Sequence, residues 1–177
     1  MLDLSGYPHA RLPRIDPGVR VLILRGSAVE RLGHLPHGIR EIDVSGSRIQ
    51  RLGYPPQSVR VLRARNTPRR RVGHLPHGLV EHDVAGSRIE RLGYLPQTLR
   101  VLNVSRTPLR RLGYLPPSLE VLRMRNTSVE LRHVPPSLRV LDTGHARQDD
   151  RRWRRRARER RWQRSRQRSR VTVRRAY

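Results

Sequence analysis

The sequence predicts a repeat solenoid, mostly β, over residues 1–144, followed by a basic tail over residues 145–177. Leu-Pro pairs recur with a period of 20 residues, and apolar side chains fall in the same columns each time. The pattern stops near Gly144, where an arginine-rich stretch begins. Because a coil of this size is too small to bury its own apolar side, the coils must stack to form one continuous core.

Each coil is numbered from the residue in its Pro column, so that Pro36 is position 1 of the Pro36 coil. The residues at position 1 are Asp16, Pro36, Pro56, Pro76, Pro96, Pro116 and Pro135, of which the last arrives one residue early. Apolar residues dominate positions 4, 7, 9, 14 and 17. Position 7 contains Leu22, Ile42, Leu62, His82, Leu102, Leu122 and Leu141. These columns predict the core of the stack.

Positions 5 to 10 of each coil are predicted to form a short strand. Side chains alternate between the two faces of a strand, so positions 7 and 9 point inward and positions 6 and 8 point outward. We therefore expect one parallel sheet with strands within residues 20–25, 40–45, 60–65, 80–85, 100–105 and 120–125. The return segments are rich in Pro and Gly and should be extended, since a 20-residue coil leaves no room for a helix.

The pattern LxxLxVxx(S/T)x(L/I)xxLxxLP resembles the leucine-rich-repeat family over roughly residues 1–144. Its short LPxxL form, as in residues 115–119 (LPPSL), resembles the repeats of bacterial secreted effectors. The resemblance implies a curved leucine-rich-repeat parallel sheet with extended return segments. It also implies that the concave side of the strands binds a partner protein.

Two features depart from the family pattern. The family places Asn at position 12, whereas this chain has Ser or Thr there, so a hydroxyl must bond the backbone of the turn. The effector ubiquitin ligases also have a C-terminal domain with a catalytic Cys, and this chain contains no Cys. Their activity is therefore not transferred to it.

Composition narrows the classes of function. The net charge is +25, and all 39 basic residues are Arg. A GC-rich coding sequence explains part of this bias, but such a surface attracts polyanions whatever its origin. The absence of Cys excludes disulfides, thiolate zinc sites and Cys nucleophiles. No P-loop, GxSxG motif or paired carboxylates are visible, so we expect no enzyme, no cofactor, no metal and no small-molecule substrate.

The sequence shows no targeting or membrane segment. The chain opens with Met1-Leu2-Asp3 and lacks a basic region followed by an apolar run, which a secretory signal would need. No apolar stretch approaches the roughly 20 residues that span a bilayer. We therefore expect a cytoplasmic or nuclear protein that contacts no membrane, and the effector resemblance also allows secretion into a host cell.

Charged residues occupy the outward positions of the predicted strands. Position 8 places Asp43 and Asp83 on either side of Arg63, about 4.8 Å from one strand to the next. Cross-strand pairing can neutralise these charges internally. Alternatively, together with the Val residues of position 6, they form a mixed-charge recognition face, which the family resemblance favours. The candidate partner-binding residues are Glu41, Asp43, Arg63, Glu81, Asp83, Asn103 and Arg123.

Further columns lie outside these strands. Arg repeats at positions 5 and 16, as either a solvated face or a stripe that follows a polyanion. His and Tyr share position 19, where the HxxH segments at 34–37 and 74–77 lie about 10 Å apart, two strand spacings. We therefore expect edge stacking of rings and not a zinc site. His82 replaces a core Leu and is predicted to be a buried, neutral side chain bonded to a neighbour.

The tail is predicted to be disordered or helical. Asp149 and Asp150 can start a helix at Arg151. Trp153 and Trp162 would then lie close to opposite faces, which disfavours an amphipathic membrane helix. The tail resembles arginine-rich RNA-binding and nuclear-localisation segments, and the alternative is a solvated extension. The candidate polyanion-binding residues are Arg151, Arg152, Trp153, Arg154, Arg155, Arg156, Arg160, Arg161 and Trp162.

Two hypotheses of function follow. The first is a macromolecule-binding scaffold with a protein partner, in which the tail serves localisation or polyanion binding. The alternative is a nucleic-acid-binding protein that uses the Arg-rich tail and the Arg columns.

A peptide of residues 146–177 tests the second hypothesis. It has a net charge of +12, and contact with about half a dozen phosphates predicts a slope of about −4 for log affinity against log salt. Trp153→Ala with Trp162→Ala should weaken binding by loss of stacking while the slope stays nearly unaltered. Titration of labelled RNA at several salt concentrations measures both. Absence of binding at low salt would leave the tail a solvated extension.

Overall fold

A computed structural model describes residues 1–129, 131 and 133–144. Eight short parallel strands form one sheet in chain order. They are β1 (Leu2–Asp3), β2 (Val21–Ile23), β3 (Glu41–Asp43), β4 (Val61–Arg63), β5 (Glu81–Asp83), β6 (Val101–Asn103), β7 (Val121–Arg123) and β8 (Val140–Asp142). Each of the six predicted segments contains a strand, so the predicted parallel sheet is confirmed. The described residues include no helix, which confirms the extended return segments.

The chain divides into two units, Met1–Asp142 and Thr143–Tyr177. The first unit is the solenoid. Of the second, the structure describes only Thr143 and Gly144, so the predicted tail and its candidate residues lie outside the described part. Within the described part, no helix is long and apolar enough to cross a membrane.

The sheet register follows the repeat. Leu22 lies opposite Ile42, and Ile42 lies opposite Leu62, so each residue faces the one 20 positions away. The last pair is Leu122 with Leu141, an offset of 19. The missing residue therefore leaves the strand register intact, because the shortening falls in the return segment.

The inward columns form the core as predicted. The side chains of Leu22, Ile42, Leu62, Leu102 and Leu122 at position 7 are 0% exposed. Position 9 is buried from Leu24 to Met124, and so is position 14 from Val29 to Val129. Since each coil buries its apolar side against the next, the core is one continuous column and not a set of separate clusters.

A residue in the left-handed conformation follows each strand from β1 to β7. Position 11 has a positive φ, and its occupants are Gly6, Gly26, Gly46, Asn66, Gly86, Arg106 and Asn126. In this conformation the amide at position 11 donates a hydrogen bond to a carbonyl of the next coil, as Gly46 N does to Arg65 O at 2.7 Å. Gly adopts it without steric cost and Asn tolerates it, whereas Arg is a poor fit.

The hydroxyl at position 12 bonds the turn, as the sequence predicts. Ser47 Oγ donates to Val44 O at 2.6 Å, and Thr67 Oγ1 donates to Ala64 O at 3.0 Å. The same bond recurs at Ser87, Thr107 and Thr127. These five hydroxyls therefore satisfy the carbonyl at position 9 of their own coils, whereas the buried Ser27 Oγ has no hydrogen-bond partner in the described part of the chain.

A second set of hydroxyls ties successive coils together. At position 3, Ser58 Oγ donates to Ile39 O of the preceding coil at 2.6 Å. Thr98, Ser118 and Ser137 do the same to Leu79, Leu99 and Leu119. These bonds satisfy carbonyls just before the strands, where the sheet ladder begins.

Leu102 lies in the middle of the stack and is 0% exposed. Leu102→Ala should lower the free energy of unfolding by about 2–5 kcal/mol, because it removes buried methyl groups and leaves a cavity. Arg91→Ala, at an exposed position, is the control and should change it by less than about 0.5 kcal/mol. Urea midpoints measure both, and coincident midpoints for Leu102→Ala and the parent would place Leu102 outside the core.

Candidate binding face

The outward residues of the strands form one surface, which we call the sheet face and define as positions 6, 8 and 10. It is the side that the sequence predicts as concave. Position 6 consists mainly of Val, partly exposed in each strand and 45% exposed at Val140. All seven predicted partner-binding residues lie on this face, since each occupies position 6 or 8.

Arg63 is the centre of an ion-pair cluster with two glutamates. Its Nη1 donates to Glu41 Oε1 on one neighbouring strand, and its Nε donates to Glu81 Oε1 at 3.1 Å on the other. The Arg63 side chain is 26% exposed. Partial burial opposes its charge, but the charges and hydrogen bonds of Glu81 and Glu41 outweigh that effect and raise the pKa of Arg63. Both glutamates thus share one guanidinium, and the charge of Arg63 is fully compensated at the centre of the sheet face.

The predicted pairing of Arg63 with Asp43 and Asp83 is wrong. Asp43 is 2% exposed, and its Oδ1 accepts the Ser45 amide at 3.0 Å while its Oδ2 accepts Arg25 Nε at 2.7 Å. Burial by itself would raise the pKa of Asp43, but these hydrogen bonds outweigh it and lower the pKa. The short Asp side chain stays against its own turn, so Arg63 reaches the longer Glu side chains instead.

Asp83 repeats this arrangement one 40-residue unit later. Its Oδ1 accepts the Ala85 amide at 3.0 Å, and its Oδ2 accepts Arg65 Nε at 2.7 Å and Asn103 Nδ2 at 3.0 Å. The sequence analysis missed Arg25 and Arg65, although an Arg at position 10 precedes the Asp by 18 residues in both cases. In these two coils the Asp at position 8 therefore caps the turn, and the Arg at position 10 of the preceding coil supplies the countercharge.

The end of the sheet face near β8 contains a pocket of about 600 Å³. Its lining consists of Arg65, Ala85, Asn103, Ser105, Arg106, Arg123, Arg125, Asn126 and Asp142. The structure thus separates the predicted residues into two groups. Glu41, Asp43, Arg63, Glu81 and Asp83 form the ion-paired part, whereas Asn103 and Arg123 line the pocket.

The arginines of the pocket differ in their partners. Arg65 pairs with Asp83, and Arg125 pairs with Asp142 at 2.6 Å. Arg106 and Arg123 make no ion pair with any acid in the described part of the chain. The pocket therefore combines neutralised and uncompensated guanidinium groups.

The outer edge of the solenoid contains the other predicted columns. Tyr54 and His74 stack with ring centroids 5.2 Å apart, which confirms the expected ring stacking at that pair. The arginines of position 16 are exposed. Isolated parallel β-bridges of the backbone pair Arg11 with Arg31, Arg31 with Arg51 and Arg71 with Arg91. Among the described residues, no group of three His, Cys, Asp or Glu side chains is placed to hold a metal ion.

Known structures share this architecture. YopM from Yersinia enterocolitica WA-314 matches with a TM-score of 0.70 and 29% identity, covering 74% of this chain and 30% of that one. A Shigella effector LRR domain matches at 0.66 and 20% identity, covering 77% and 61%. YopM from Yersinia pestis matches at 0.66 and 19% identity, covering 80% and 48%. This chain shares the parallel-strand solenoid fold of these effector leucine-rich repeats.

This chain spans less than two thirds of the length of each of those three structures. No protein-family model and no curated protein matches the sequence. The assignment therefore rests on the arrangement of parallel strands at 20-residue spacing and on the likeness to the effector repeats.

Among the described residues, the core of the solenoid contains one histidine. His82 is 0% exposed, and its Nδ1 lies 3.0 Å from Leu62 O, so the Nδ1–H donates to that carbonyl. Burial, reinforced by the nearby positive charge of Arg69, lowers the pKa of His82 to about 4. The prediction of a buried neutral histidine bonded to a neighbour is confirmed.

Arg69 is a buried cation that the sequence analysis did not single out. It occupies position 14 and is 2% exposed, and its Nη2 donates to the carbonyls of Arg71 and Val72. Burial lowers the pKa of Arg69 to about 10. The sequence did contain a signal for this buried cation, because position 14 is otherwise occupied by Val, Ile or Leu. Arg69 and His82 lie in the core and not on the sheet face, so we assign them no binding role.

His82 should make stability depend on pH. Its pKa is about 4 in the folded chain against an ordinary 6.5, so the unfolded chain binds more protons between these values. Stability is therefore lost as pH falls through this window, by at most ~3 kcal/mol. His82→Leu restores the usual core residue and should remove this part of the loss. Urea midpoints at pH 7.5 and pH 4 measure it, and equal losses in parent and variant would contradict the assignment.

Proposed function

We propose that this chain is a protein-interaction scaffold that binds a partner protein on its sheet face. The observation that carries the proposal is the array of parallel strands, which sets partly exposed Val and Arg side chains side by side on one surface. Interfaces between proteins combine an apolar centre with enriched Arg in this way. The likeness to effector leucine-rich repeats supports the same function.

The predicted residues would have different tasks in such an interface. Asp43 and Asp83 are almost fully buried and hold their turns, so they would position the surface without touching the partner. Arg63 and the two glutamates that flank it are partly exposed and would offer hydrogen bonds to the partner. Asn103 and Arg123 would contact it at the pocket. Burial thus selects the contact residues from the seven candidates.

Nucleic-acid binding is the second candidate function. One observation favours it: the position 16 arginines, from Arg31 to Arg111, are exposed and make no ion pair with an acid in the described residues. Such a row would attract phosphates, and the tail would add to it. We propose no enzymatic activity. By analogy with the effector structures, we propose that the protein acts inside a host cell, in the cytoplasm or nucleus.

Photo-crosslinking with the full chain tests the scaffold. A benzoyl-phenylalanine at position 121 or 140 replaces a Val of the sheet face, and the same residue in place of Tyr94 or Tyr114 is the control at the exposed outer edge. In host-cell extract we expect one discrete protein to be crosslinked from both sheet-face positions and not from the edge. Crosslinking from the edge positions alone, or to nuclease-sensitive material, would contradict the scaffold proposal.

A further inference from the structure

We infer that the pocket at the β8 end of the sheet face binds an acidic segment of the partner protein, whose carboxylates are held by Arg106 and Arg123. The inference rests on the proposed scaffold function and specifies the chemistry of its partner. Its basis is the charge, the strain and the shape of the pocket.

Two of the four arginines of the pocket have no acid partner among the described residues. Four of its lining residues are Arg and one is Asp. Arg125 is paired with Asp142, and Arg65 is paired with the buried Asp83. Arg106 and Arg123 have no acid partner in the part of the chain that the structure describes. Like charges at the rim of one pocket repel each other, and an anion between them relieves the repulsion. Guanidinium groups bind carboxylates through paired, charge-assisted hydrogen bonds.

The backbone of Arg106 is held in an unfavourable conformation. Its φ is 56°, at the left-handed position that Gly occupies in four coils and Asn in two. The Arg106 amide donates to Arg125 O at 2.7 Å, so the turn enforces the conformation. An L-residue with a bulky side chain is less stable there than Gly. Strain of this kind marks functional positions, and at Arg106 it projects a cation at the pocket.

The size and lining of the pocket favour a peptide over other anions. A volume of about 600 Å³ exceeds the need of a single small ion and suits a few residues of chain. Asn103, Ser105 and Asn126 supply polar groups beside the arginines. No aromatic side chain lines the pocket, so nucleic-acid bases would find no stacking surface there. An acidic peptide needs only charge and hydrogen bonds.

Peptide binding to the full chain tests the inference. The probe is a fluorescein-labelled hexaglutamate peptide, with a hexaglutamine peptide as the uncharged control. The pocket variant is Arg106→Gln with Arg123→Gln, and the matched control is Arg48→Gln with Arg88→Gln, which also removes two exposed arginines. We expect the pocket variant to weaken hexaglutamate binding about tenfold or more, and the control to weaken it about threefold or less. Equal losses in the two variants would overturn the inference.

Arg106→Gly separates binding from folding. Glycine relieves the left-handed strain, so this variant should melt at or above the temperature of the parent while it binds hexaglutamate more weakly. Unchanged affinity in Arg106→Gly would overturn the role of Arg106. An RNA oligonucleotide whose binding falls by the same factor as that of hexaglutamate would overturn the choice of a peptide.

The two proposals fail in distinguishable ways. If the sheet-face positions crosslink to a protein but the pocket variant binds hexaglutamate like the parent, the scaffold stands and the pocket inference is wrong. If hexaglutamate binding depends on the pocket but only the outer edge crosslinks, the scaffold proposal is wrong and the anion site stands.

Discussion

Successive coils of this solenoid are hydrogen-bonded to one another at an offset of 20 residues, which becomes 19 at the last pair of strands. The ladder begins before the strand, where Arg60 N donates to Arg40 O at 2.7 Å, and ends after it, where Gly46 N donates to Arg65 O at 2.7 Å. A slip of one residue would turn every inward side chain outward. The backbone register therefore determines both the core and the sheet face.

The register also explains how the chain tolerates its irregularities. The residue missing from the last coil falls in the return segment, so Leu141 still meets Leu122. Arg106 occupies a left-handed position only because the turn is fixed by bonds from the neighbouring coil. His82 replaces a core Leu and satisfies its Nδ1–H with a carbonyl of the preceding strand. The hydrogen bonds between coils thus keep the register across the missing residue and hold Arg106 and His82 in place.

The same register divides the charges of the sheet face. Near β3 to β5 the acids and arginines alternate from strand to strand, so Arg63 meets a glutamate on both sides. Toward β8 the arginines gather around Asn103 and Asn126, with Asp142 as the one acid of the pocket lining. In one part of the face every arginine is thus ion-paired, while the other part remains able to attract an anion. This asymmetry is what the proposed binding of an acidic segment depends on.

The sequence by itself determined the sheet, its register, its inward columns and the bonding of the position 12 hydroxyls, because these follow from backbone geometry repeated at a constant period. It also placed all seven candidate residues on one face. Only the tertiary structure decided that Arg63 pairs with glutamates, since that choice depends on side-chain reach and on the turn amides that hold Asp43 and Asp83. The pocket likewise depends on side chains from Arg65 to Asp142, brought together across five strands. The period of the repeat determines the backbone position of a residue and the face of the sheet that it occupies. The partners of a long, flexible arginine side chain depend instead on every neighbour within its reach.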